Sequence, residues 1–182
     1  HSHNVPISTF SPDGELILSA SWDNTAVLWS MQTGKKVHVF EHLYSVRHAI
    51  FSPNGDLVLT ASWDNTAALW SVKTGEKLET FHHRGSVNHV DFSPDGQSFL
   101  TSSNLENLKL WSVTDGNQQN FYRGVSNISK SAMFSPDGQN VLSVYGNLAF
   151  LRSLANEETK QGFKHLSDIN HAAFSPNGKV IV

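Results

Sequence analysis

A histidine, a hydroxyl residue and an aspartate recur in the same order in this 182-residue chain, as His1, Ser19 and Asp23 and again as His42, Thr60 and Asp64. These are the residue types of a general base, a nucleophile and an orienting acid. Two observations count against catalysis. The set is duplicated, whereas an active site is normally singular, and each copy comes with a tryptophan at a fixed offset, Trp29 or Trp70. No non-repeated group of convergent polar residues stands out elsewhere, so no catalytic residue and no cofactor are expected. Ten histidines raise the question of metal binding. His1, His42, His83, His165 and the adjacent His82 fall at or beside one repeat position, and His48, His89 and His171 lie three residues before a recurring phenylalanine. Ligands of one ion must all lie about 2 Å from it, so histidines spread over separate repeats predict no metal site. The second series is expected to pack between neighbouring repeats. His1-Ser2-His3 would chelate Cu(II) or Ni(II) only if His1 were a free N-terminus.

The elements that must position these residues are themselves periodic. Copies of the stretch FSPNGDLVLTASWDNTAALWS, Phe51 to Ser71, begin at Phe10, Phe51, Phe92, Phe134 and Phe174, at intervals of 41, 41, 42 and 40 residues. A fixed period of this size marks a repeat architecture. Within each copy the Ser-Pro-Asp/Asn-Gly run is a turn, and the flanking apolar runs read as strands. The first repeat predicts strands at about Val5 to Phe10, Leu16 to Ser21, Ala26 to Trp29 and Lys36 to Phe40. Asp23-Asn24 and Asp64-Asn65 form the turns between second and third strands. Leu154 to Gln161 is rich in helix formers, yet its register makes it a turn running into a strand.

The unit of about 41 residues, with its FSP[DN]G turn, its Asp-Asn-Thr turn and a strand ending Leu-Trp, resembles the tryptophan-aspartate (WD) repeat, one blade of a β-propeller. The aspartate of the naming dipeptide is replaced in Trp29-Ser30, Trp70-Ser71 and Trp111-Ser112. The resemblance implies an all-β propeller of four four-stranded blades plus the start of a fifth, with blades at about 1–41, 42–82, 83–124 and 125–164 and a partial one at 165–182. Familiar rings have about six to eight blades, so the chain is expected to be part of a longer chain or a larger ring. The resemblance also turns the histidine sets into structural tetrads: His1, Ser19, Asp23 and Trp29; His42, Thr60, Asp64 and Trp70; and His83, Thr101 and Trp111, with Leu105 at the third aspartate position. In the fourth repeat Arg152 stands in place of the tryptophan and only Ser143 of the tetrad is left. That blade is expected to be the loosest.

Trp22 and Trp63 immediately precede the turn aspartates, a position the resemblance places on the top of the propeller. It adds two positions per blade, three and five residues after the tetrad histidine: Asn4 and Pro6, Ser45 and Arg47, Ser86 and Asn88, and Asp168 and Asn170. Two aromatics, one cation and polar groups suit a protein or peptide and not a phosphate. The expected role is therefore a non-catalytic interaction scaffold, with a regulatory module of a multidomain protein as the alternative and an enzyme disfavoured. Lys and Arg are scattered and the net charge is -3, which argues against nucleic acid. No apolar run approaches the ~20 residues of a membrane helix. The absence of cysteine excludes disulfides and thiolate metal sites. A cytoplasmic location and a bacterial origin are expected, together with self-association or ring completion by further blades.

Overall fold

The computed structural model describes residues 1–122, 129–156, 158–170 and 172–181. Sixteen strands form four antiparallel sheets, each taking its strands in chain order. The first sheet holds β1 (Ile7–Phe10), β2 (Leu16–Ala20), β3 (Thr25–Ser30) and β4 (Lys36–Glu41). The second holds β5 (Val46–Phe51), β6 (Leu57–Ser62), β7 (Thr66–Ser71) and β8 (Lys77–His82). The third holds β9 (Val87–Phe92), β10 (Ser98–Ser103), β11 (Asn107–Ser112) and β12 (Gln118–Tyr122). The fourth holds β13 (Ser131–Phe134), β14 (Asn140–Tyr145), β15 (Leu148–Ser153) and β16 (Thr159–Lys164). Beyond it, a single bridge between Phe174 and Ile181 begins a fifth unit. The first strand is shorter than the sequence suggests: it starts at Ile7 instead of Val5, because Pro6 has no N–H to give a ladder. Leu154 opens a turn that leads into β16, as its register requires.

The core lies between sheets. Leu18, Ala20, Leu28 and Phe40 of the first sheet pack with Val46, Phe51, Val58 and Trp70 of the second, and the same pattern recurs between the second and third. A single sheet with both faces covered needs near-continuous apolar strands, which is how β3 and β7 read. The turns lock the stack at the opposite end. Gly55, Gly96, Gly138 and Gly178 adopt φ between 68° and 80°, and a side chain there would meet the proline ring of the preceding copy, Pro12, Pro53, Pro94 or Pro136, at 3.5 Å. Asn24 and Asn65, at φ 72° and 68°, are the only non-glycine residues among those described that take this left-handed turn conformation.

The fourth sheet keeps its form despite the lost motif. Its ladder runs through six paired positions from Asn140–Ser153 to Tyr145–Leu148, and buried Arg152 lies over Phe150 at 5.5 Å. The bulge that sits beside Trp29, Trp70 and Trp111 is also present beside Arg152.

Asp91 is a partly buried acid between the third and fourth sheets. Its carboxylate accepts the Phe134 amide of the next sheet at 2.8 Å, and burial pushes its pKa from 3.8 up to about 7. A folded pKa above the unfolded one gives stability that is complete below pH 3.8 and is lost as pH rises through about 7. Asp91→Asn keeps an acceptor oxygen and carries no charge. It is expected to raise the melting temperature relative to wild type by several degrees at pH 8 and by little at pH 5. Buried His48 and His83, held below the usual imidazole range by desolvation first of all, work the other way: their contribution is lost as pH falls below 6.5. They are common to both proteins and cancel in the comparison. A pH-independent difference between the two melting curves would refute the assignment.

Candidate functional site

The repeated polar set is built into the sheets. His42 Nδ1 lies 2.8 Å from Asp64 Oδ2, its Nε2 lies 2.7 Å from Thr60 Oγ1, and the Trp70 indole N–H donates to the same hydroxyl at 2.9 Å. His1, Ser19, Asp23 and Trp29 repeat this arrangement, with His1 held at both ring nitrogens. Burial works to raise the Asp64 pKa, but hydrogen bonds from His42 and Thr66 hold its carboxyl well below the usual range. Thr60 is fully buried, so its hydroxyl cannot meet a substrate. The arrangement satisfies polar groups inside a sheet, where an unpaired one costs about 1–3 kcal/mol.

The third set differs from the sequence expectation. Leu105, at the aspartate position, points away and is exposed, while its neighbour Glu106 takes the acid's place. Glu106 accepts the Arg84 amide at 3.0 Å, as Asp64 accepts that of Leu43 at 3.1 Å. The longer side chain comes within 3.4 Å of His83 Nδ1 and pairs with Lys109 at 2.8 Å. Trp111 still donates to Thr101 at 2.8 Å. His83, with no hydrogen bond at Nε2, is pushed down to about pKa 4 by desolvation and then by the Lys109 charge.

The end of the sheets that carries the Trp22 and Trp63 turns gathers the predicted contact residues. Arg47 is the extra residue of a β-bulge between Val46 and His48, and Asn88 holds the equivalent place in β9. Bulges re-aim a side chain out of the ladder. Here the Arg47 guanidinium is inserted between two indoles, 5.1 Å from the Trp22 ring and 4.7 Å from that of Trp63. Both rings remain more than 40% exposed, at 41% and 46%. Desolvation on burial lowers the Arg47 pKa. Trp63 Nε1 donates to Asn88 Oδ1 at 3.3 Å, and Asn88 Nδ2 donates to Asn104 Oδ1 at 2.6 Å and to the Ser129 carbonyl at 3.1 Å.

Not every predicted contact residue is available. Ser45 and Ser86 accept the Trp63 and Asn104 amides on their carbonyls, and their hydroxyls donate to the carbonyls of Trp22 and Trp63 in the preceding sheet. They staple adjacent turns together. Asn4 likewise accepts the Trp22 amide, while Pro6 and Asn170 line a shared cavity and Asp168 accepts from Lys130 at 2.7 Å. Lys130 and Asn104 were not foreseen. Counting four residues back from each repeat phenylalanine gives Pro6, Arg47, Asn88, Lys130 and Asn170, a register that the missing fourth histidine hides.

Pro6, Arg47, Trp63, Asn88, Asn104, Lys130 and Asn170 line a cavity of about 550 Å³, with Trp22 beside it over Arg47. The His48 and His89 rings meet at 3.9 Å between centroids, tilted by 32°, on the side-by-side strands β5 and β9. His171 lies outside the described residues. Among the described residues no group of three or more His, Cys, Asp or Glu is arranged to hold a metal. No helix there is long and apolar enough to cross a membrane.

The family model described as WD domain, G-beta repeat, matches residues 1–30, 34–71 and 75–112, more than half of the chain and the three repeats that keep their tryptophan. The chain belongs to the WD-repeat family. Its four sheets are propeller blades, and the polar sets are hydrogen-bonded within them. Over 40 residues the chain is 50% identical to the small ribosomal subunit protein RACK1 of Candida albicans (strain SC5314 / ATCC MYA-2876). That stretch is 22% of this chain and 13% of the relative, so the chain spans a small part of the protein it matches. The relative is fungal and lends nothing to a bacterial origin.

Proposed function

We propose that this WD-repeat chain is a non-catalytic scaffold that binds a protein or peptide at its top face, with Trp22, Arg47 and Trp63 at the centre of the contact. The observation that carries the reading is the exposed indole pair clasping a cation beside an open cavity. Trp and Arg are the side chains most often found to dominate binding energy. The amide of Asn104 suits peptide backbone, and Pro6, Ile7 and Met133 supply apolar wall. Blade boundaries near residues 41, 82, 124 and 164, a cytosolic location and association through the end blades belong to the same reading.

The test is a comparison of wild type with the Trp22→Ala, Arg47→Ala, Trp63→Ala triple variant as bait, together with their melting curves. Truncating each strong anchor costs ~2 kcal/mol or more, so specific recovery of protein partners is expected to vanish. The melting temperature should shift by only a few degrees, because none of the three belongs to a tetrad. Unchanged recovery, or an unfolded variant, would overturn the proposal.

A further inference from the structure

The Arg47 guanidinium lies over the rings of both Trp22 and Trp63, at 5.1 and 4.7 Å. Among the described residues it makes no hydrogen bond and no ion pair, although it is partly desolvated and lines the cavity. Arginine presents donors in a planar fork that matches a carboxylate with two parallel N–H···O bonds, and stacking on aromatic rings leaves that fork free.

The surroundings are consistent in sign. Among the described residues the cavity is lined by Arg47 and Lys130 and by no aspartate or glutamate, on a chain whose net charge is -3. Lys130 is already paired with Asp168 at 2.7 Å. Among the described residues of the lining one unpaired cation therefore remains, which matches a single negative charge better than a doubly charged phosphate. Asn88 and Asn104 flank the site with amides. We infer that the top face is a receptor for an acidic peptide side chain, with a glutamate or aspartate carboxylate of the partner seated bidentate on the edge of Arg47 between Trp22 and Trp63.

This inference rests on the top-face reading, and the test separates the two. Blocked heptapeptide libraries, randomised except for a central Glu, Asp, Gln, Asn or phosphoserine, are titrated against the full chain, Arg47→Gln, Arg47→Lys and Trp22→Ala. The Glu and Asp libraries are expected to bind wild type about tenfold or more tightly than the Gln and Asn libraries. Arg47→Gln should erase that preference, and Arg47→Lys should recover only part of it because the fork is lost. Melting curves of each variant verify that the blades stand. Equal binding of acid and amide libraries, with loss of all binding in Trp22→Ala, would overturn the carboxylate and leave the peptide-binding face. Tighter binding of the phosphoserine library than of the Glu library would also overturn it, in favour of a phosphate. No binding of any library would overturn both readings.

Discussion

Trp70→Ala is expected to destabilise the protein by ~3–5 kcal/mol, the range for truncating a large buried aromatic, and Trp29→Ala by clearly less. The two tryptophans hold the same tetrad position and make the same bond to a hydroxyl, at 2.9 and 2.8 Å. Their surroundings differ. Trp70 is 5% exposed and packs on Phe40 of the preceding blade at 5.1 Å, whereas Trp29 is only half-buried. Hydrogen bonding alone would make the two substitutions equal, while packing between blades makes them unequal. His42→Ala should fall between them, since it leaves the Asp64 carboxylate in place without its ring partner and costs about 1–3 kcal/mol. Denaturant midpoints of the three variants decide the matter. Equal shifts for Trp29 and Trp70 would sink the packing argument, and an unmoved midpoint for His42→Ala would sink the tetrad.

What the sequence made legible was whatever repeats in register. The strands, the two turns and the tetrads of the first two blades follow from spacing, because the same local chemistry must be solved once per blade. Where a copy slips, counting fails. Glu106 serves as the tetrad acid one residue beyond the counted position, since a longer side chain can reach back where an aspartate could not. Lys130 stayed hidden because its position was counted from a histidine the fourth repeat lacks. The three residues of the clasp were visible singly, yet their assembly was not. Trp22 belongs to one blade and Arg47 and Trp63 to the next, and the bulge that lifts Arg47 between the rings has no sequence signature. Ser45 and Ser86 show the reverse case, since positions that read as contact surface turn out to join one blade's turn to its neighbour's.

The 182-residue chain is expected to associate with further copies of itself through its two end blades, and Phe10→Glu to abolish most of that association. The repeat phenylalanine supplies an internal comparison. Phe51, Phe92 and Phe134 are 5–8% exposed, each covered by the blade before it, whereas Phe10 is 62% exposed. Phe10 pairs across β1 and β2 with Ile17, and Ile17 pairs with Trp29, so the uncovered row is the one that in the second blade runs through Phe51, Val58 and Trp70. The opposite end of the stack offers the matching cover. Phe163 stands opposite Ala149 in β16, as Phe40 stands opposite Ala26 and Phe81 opposite Ala67, and those two phenylalanines pack on the tryptophan of the next blade. Phe163 instead lines an apolar cavity of about 490 Å³ with Ile169, Ala172 and Ile181. Placing one copy's first blade on another's last would reproduce an interface the chain already makes between its own blades. Such a contact is head-to-tail, so it yields a ring if the rotation closes and an open chain if it does not. Light scattering over a concentration series reads the result. Mass should rise with concentration for wild type and stay near the monomer for Phe10→Glu, whose buried charge would have no partner in the interface. A wild-type mass that is monomeric at every concentration would show that these faces do not recognise each other.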